Sequence, residues 1–254
     1  MILYKWTRAD GSREGYTYPL PHDGQPGEWT SEVKDIEMCK RGYHLCADPY
    51  DFLRYGPRLF IAEGRGKHKG PDAVGKTVWA SVRLLHEVPI TETDLRLLAC
   101  DYAEHVLTIF ERTNSEDKRP RTAIETARKY VRGEATLQDL HAAAYAAANA
   151  AYAAAYVAAA AYAADVAAYA AANAYADAAN AAAYAAAAAY ADAAAAYAAD
   201  VAAYAADAAA NVAYAADAAD AADAYAGERK WQRERFADLL KRLQGGRDKA
   251  GSVE

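Results

Sequence analysis

Cys39, His44 and Cys46 fall in a C-x4-H-x-C spacing, a compact set of thiol and imidazole groups of the kind that binds zinc, with His22 or His68 available as a fourth ligand. The repeated Cys/His spacing of zinc modules is missing. On a strand, His44 and Cys46 also share one face for packing reasons alone, so no metal is expected. Residues 70–77 read GPDAVGKT and match the phosphate-loop pattern, in which backbone N–H groups cradle a phosphate and the Lys neutralises it. Such a loop needs a helix directly after the Lys to hold the anion at its N-terminus. Here residues 77–85 (TVWASVRLL) alternate like a strand, which places the motif at a hairpin tip. Arg65, Lys67, His68, Lys69 and Lys76 concentrate positive charge around a Gly-rich loop at 64–76. With Tyr43 and His44 on an adjacent strand, they form the candidate site for a small phosphorylated ligand. No catalytic set and no cofactor motif emerges.

These residues sit in a front half that reads as β-rich. Residues 2–7 (ILYKWT) alternate, and ADGSREG at 9–15 reads as a hairpin-type turn leading to YTY at 16–18, the start of a meander. A Pro- and Gly-rich loop covers 19–27, a short strand 43–46, and Asp48-Pro49 caps a short helix that Gly56-Pro57 stops. Strands at 58–63 and 77–85 complete the set. From there the chain turns helical. Thr91 or Thr93 caps a helix with the apolar stripe Leu95, Leu98, Tyr102, Val106 and Ile109. Pro120 opens a second helix that ends at Gly133, and Thr136 with Asp139 opens a third.

The third helix enters a tract of a different kind. Between Gly133 and Gly227 there is no Gly, Pro, Lys or Arg, and residues 141–226 are almost wholly Ala, Tyr, Asp, Asn and Val. Ala has the highest helix propensity, so this is a helix-forming tract. A single rod of that length would be several times the diameter of a small domain. Fold-back is therefore expected, with corners near 173–180 and 207–211, where Asn and Asp tolerate the left-handed conformation. The face presented by the tyrosines also jumps between groups, as separate helices require. Residues 158–171 recur at 193–206, the spacing of a stacked helical repeat; whether that repeat is structural stays open. The tyrosines supply packing bulk in an Ala bundle. Tyr162, Tyr169, Tyr190, Tyr197 and Tyr204 are the candidate partner-binding ladder, because Tyr is favoured at interfaces. Beyond Gly227 a final amphipathic helix carries Trp231, Phe236, Leu239, Leu240 and Leu243, and is expected to end at Gly245 and Gly246.

The net charge of −6 conceals segregation: the tract from 134 to 227 holds ten acidic residues without a Lys or Arg, and the segment after it is basic. An acidic helical surface keeps an Ala bundle soluble. It also fits mimicry of a phosphate backbone, while direct nucleic-acid binding is not expected. Three cysteines are an odd, sparse set, as in a reducing compartment. MILYKWTRADG lacks a signal-peptide layout, so a cytoplasmic protein is expected. No apolar run reaches bilayer length, so no membrane segment is expected either.

YKWTRADG at 4–11, RGYHLCADP at 41–49, RLFIAEGRGK at 58–67 and the run to Thr91 resemble an N-terminal domain common in phage and prophage proteins. DYAEHVLTIFE, RPRTAIETARKYVRGEAT, the Ala-rich tract and ERKWQRERFADLL resemble the helical segment of immunity-type proteins. The resemblance implies a phage-associated protein of the infected cell's cytoplasm, and it carries no catalytic residue over. The expected class is α+β: a small β-rich N-terminal domain at 1–92, an all-α Ala/Tyr-rich helical bundle or helical repeat at 93–244 (tract 134–227), and a disordered tail at 245–254. The function expected first is a non-catalytic phage-type protein that binds and neutralises a host component through its helical surface, as a counter-defence factor. The alternatives are a protein that sequesters or modifies a nucleotide-like ligand through the basic loop, and an acidic nucleic-acid mimic. Self-association is left open.

Overall fold

The computed structural model describes residues 2–112, 114–161, 180–181, 200–201, 203–211 and 221–250. The fold is α+β, and the chain divides into two compact units, Met1–Ile90 with Leu239–Glu254, and Thr91–Asp238.

The first unit is built on a closed antiparallel barrel of four strands in the order β1 (Leu3–Thr7), β4 (Tyr43–Cys46), β6 (Lys76–Val88), β5 (Arg58–Lys69). β5 and β6 form a long hairpin, and β1 pairs with β5 over five residues, from Leu3 opposite Ala62 to Thr7 opposite Arg58. β1 meets β4 only at Tyr4 opposite Cys46. Leu3, Tyr18, Tyr43, Leu45, Phe60, Ala62, Val82 and Leu84 fill the interior, the inward positions that period-2 alternation supplies. The segment after the Pro/Gly loop also lies along β6, since Gly27, Thr30 and Val33 donate backbone N–H groups to Leu84, Val82 and Ala80.

Two local expectations change here. YTY does not pair with β1: β2 (Ser12–Arg13) and β3 (Tyr16–Thr17) form their own small hairpin, turning at Glu14 and Gly15, both at positive φ. The two-residue turn closes more locally than the seven-residue one read from ADGSREG. The basic stretch at 65–69 is not a loop either, because β5 runs to Lys69. Gly64 permits this: a Cβ there would stand 2.1 Å from the Trp79 ring, so only glycine lets β6 lay its indole across β5. A register shift between Arg65 and His68 then absorbs the irregularity as a bulge.

In the second unit, α1 (Glu92–Glu111) opens with a capping box between Thr91 and Asp94. It buries Leu95, Leu98, Tyr102, Val106 and Phe110 among others, while Ile109 is only half-buried. α2 (Arg119–Val131) carries Pro120 in its first turn and buries Ala123, Ile124 and Ala127. α3 (Leu137–Ala161) starts at the expected pair, with Asp139 N–H donating to Thr136 Oγ1. It turns Leu140, Ala143, Ala147, Ala150 and Ala151 inward at helical spacing, and their small side chains suit close packing. Residues 203–211 are helical, so the expected corner at 207–211 does not form. The propensity of the surrounding alanines outweighs the few tenths of a kcal/mol, roughly, that Asp and Asn cost in a helix. The other expected corner and most of the 35-residue repeat lie outside the described residues.

The last helix, α4 (Ala221–Ala250), passes through Gly227 and continues across Gly245 and Gly246, the two places where the sequence predicts its ends. Glycine lowers helix stability by about 1 kcal/mol but leaves every backbone hydrogen bond possible, unlike proline. Residues 245–250, predicted as disordered tail, are therefore helical.

Candidate functional site

β1 places Lys5 in register with Leu3 and Thr7, two residues away on either side, and thus on the face that supplies Leu3 to the barrel core. The side chain is 5% exposed and its Nζ lies 4.9 Å from the centre of the buried Tyr18 ring. Burial lowers its pKa to about 8, against the opposing pull of Glu14, whose Oε2 is 3.6 Å away. Glu14 comes from the β2–β3 turn, where it adopts φ 56, a left-handed conformation that a residue with a Cβ seldom takes.

Glu14 is held there by His44 on β4. The backbone N–H of Cys39 donates to His44 Nε2 at 2.9 Å, which puts the ring proton on Nδ1, facing Glu14 Oε2 at 3.2 Å. That hydrogen bond, aided by Lys5, pulls Glu14 down to about 2 despite partial burial. Cys39 is also left-handed, at φ 63, and its Sγ accepts from Lys76 Nζ at 2.9 Å. Two non-glycine residues in a costly conformation thus flank one histidine. Strain of this kind persists where the surroundings over-determine it, as at functional sites.

Of the linked residues Lys5, Glu14, His44, Cys39 and Lys76, all but Cys39 border a cavity of about 60 Å³. Arg13, Leu45, Cys46, Tyr4, Trp6, and Phe52 and Tyr55 of the 3-10 turn Tyr50–Tyr55 complete its lining. Arg13 lies over the Tyr55 ring at 4.4 Å and donates to the Tyr55 carbonyl at 2.9 Å. Tyr55 is 40% exposed.

Of the residues proposed from sequence, His44 and Lys76 line this cavity together. Tyr43 is buried in the barrel core and its hydroxyl donates to the Ser31 carbonyl. Arg65 lies over Trp29 at 4.3 Å and His68 stacks on Trp79 at 4.4 Å, while Lys67 and Lys69 are exposed on β5. These four are not on the cavity, because β5 pairs with the edge of β6 opposite to β4, and register sets Arg65, His68 and Lys69 across from Ser81, Trp79 and Val78. Lys5, Arg13 and Glu14 are the site residues that sequence reasoning missed. The phosphate-loop match is occupied from within: Asp72 Oδ1 accepts from the N–H groups of Val74 and Lys76, filling the cradle that an anion would use. The C-x4-H-x-C set does not converge, since both His44 nitrogens are engaged and Cys46 is buried, its thiol pushed up to about 12. Among the described residues no group of three His, Cys, Asp or Glu side chains is arranged to hold a metal ion.

The helical unit is fastened around α1. Asp101 receives Arg128 of α2 at 2.9 Å and Arg235 of α4 at 2.7 Å, and Glu111 takes Arg121 through two hydrogen bonds. His105 stacks on Trp231 at 3.7 Å with its Nδ1 2.8 Å from the buried Glu228, which in turn accepts from Gln232. On α3, Tyr145 is 73% exposed, and Tyr204 is half-buried. The other tyrosines of the candidate ladder, Tyr162, Tyr169, Tyr190 and Tyr197, lie outside the described residues. No helix among the described residues is long and apolar enough to cross a membrane.

The molecule is an α+β chain that joins a small barrel to a helical unit. Residues 89–193, which include α1, α2 and α3, match the family model described as Imm-5 like putative immunity protein, so this part of the chain is similar to an immunity-type protein. No curated protein and no solved structure matches the chain.

Proposed function

We propose that the protein works by binding rather than by catalysis, engaging a partner protein through its helical unit and neutralising it. In a phage setting the partner is a host component and the protein a counter-defence factor acting in the cytoplasm. The observation that carries this reading is that the immunity-type match falls on the helices, from residue 89 onward. Tyr145 supports it, since a tyrosine left 73% exposed offers rigid, amphipathic contact area at low entropic cost.

The test is to purify the full chain, identify the protein it retains from bacterial lysate, and measure affinity for that species in isolation. Tyr145→Ala with Tyr204→Ala is expected to weaken binding at least tenfold, roughly the effect of losing an aromatic anchor, with helical content unchanged. Equal affinity of the double variant, or no retained protein, sinks the reading.

A further inference from the structure

The cavity bordered by Lys5, Glu14 and His44 lies in the barrel unit, outside the stretch that resembles immunity-type proteins. We propose that it is a binding site for one small oxyanion, a carboxylate or a phosphate group, that hydrogen-bonds to Lys5 and sits in the field of Arg13 and Lys76.

Donor accounting comes first. A lysine ammonium has three N–H donors, yet the partners of Lys5 are a carboxylate oxygen at 3.6 Å and an aromatic ring at 4.9 Å, both beyond hydrogen-bond distance. The Tyr18 ring that Lys5 faces carries a buried hydroxyl, also without a hydrogen-bond partner among the described residues. The ammonium that borders the cavity is thus underused as a donor. A buried charge held by an imperfect ion pair costs stability relative to a hydrocarbon of the same shape. Leu3 and Leu45 show that this interior accepts hydrocarbon.

Charge and size then select the ligand. Lys5, Arg13 and Lys76 line the cavity against a single carboxylate, that of Glu14, which His44 already engages. Lys76 is also held by Asp72 at 3.8 Å and by Cys39, so it contributes field rather than a new hydrogen bond. Arg13 has one N–H committed to the Tyr55 carbonyl and retains others. A volume of about 60 Å³ for the centres of water-sized spheres, against about 10–15 Å³ needed to hold one water in that measure, accommodates a group of a few heavy atoms.

The experiment titrates the full chain with sodium phosphate and, separately, sodium acetate, at ionic strength held constant with sodium chloride, and follows the heat of binding. Saturation with one or both anions is expected; acetate alone identifies a carboxylate ligand, phosphate alone a phosphoryl group. Lys5→Met is expected to lose at least about tenfold in affinity, as for a charged hydrogen bond, without a lower melting temperature. If Lys5→Met does not fold, Arg13→Gln at the exposed rim decides, with weakening of about threefold or more expected. Absence of saturation with both anions, or unchanged affinity in the folded Lys5→Met protein or in Arg13→Gln, overturns the proposal.

Discussion

Glu14 occupies a turn position that suits Asn or Gly better, and it is kept there by what its carboxylate does for Lys5 and His44. Its folded pKa, about 2, lies below the ordinary 4.5. Its contribution is therefore complete above 4.5 and is lost as pH falls from there toward 2. Glu14→Gln should unfold at lower denaturant than the wild type at pH 7, and the gap should close across that acid window in urea titrations. Lys5 runs the other way along the scale. Its folded pKa of about 8 is below the ordinary 10.5, so between those values the unfolded chain binds a proton that the folded chain has released. Stability from this group thus rises with pH through the window, and the penalty is complete below 8. Lys5→Met should remove that alkaline slope and stabilise the protein at pH 7 by about 1–3 kcal/mol, as replacement of buried charge by hydrocarbon does. Denaturant midpoints at pH 7 and pH 10 check both statements.

At the scale of elements, three helix starts were legible, the ends of α4 were not, and the hairpins were only partly so. Thr91, Pro120 and the Thr136–Asp139 pair announce helix starts through side-chain chemistry that acts within one turn, and the structure uses all three. β1 was harder: Leu3, Lys5 and Thr7 alternate with Tyr4 and Trp6, and both sets are largely buried. Alternation alone therefore could not say that the lysine was on the inward face, and the cavity stayed hidden with it. Glu14 was missed because its role depends on His44, 30 residues away in the chain. The bulged end of β5 looked like a loop, since the reason for Gly64 is a Trp79 ring that only strand register brings over it. Gly64→Ala should cost about 1–3 kcal/mol, the usual range for overpacking, in a thermal melt that follows tryptophan fluorescence. On α4, Glu228 and Gln232 occupy the buried positions that lead to Phe236 at four-residue spacing. Glu228→Ala leaves His105 and Gln232 without their shared acceptor and should cost about 2–4 kcal/mol. Its effect should appear in the loss of helical signal on denaturation; a variant that unfolds like the wild type would show that the Trp231 stack and the Asp101–Arg235 pair suffice to hold α1 to α4.

For the whole molecule, the two proposals fall on different units, with the oxyanion site on the barrel and the partner surface on the helices. Linkage then sets a measurable condition. If an anion binds the free protein and its partner-bound form with the same affinity, partner affinity is the same with and without anion, because coupling is reciprocal. Lys5→Met should therefore abolish the anion heat while leaving partner capture unchanged, and Tyr145→Ala with Tyr204→Ala should do the reverse. A partner affinity that shifts severalfold when phosphate or acetate is added would show that the barrel regulates the helical unit. In that case the cavity would be the effector site of a single device, and Lys5→Met would abolish the shift. Independence is the expected result, since among the described residues each site is built from side chains of its own unit.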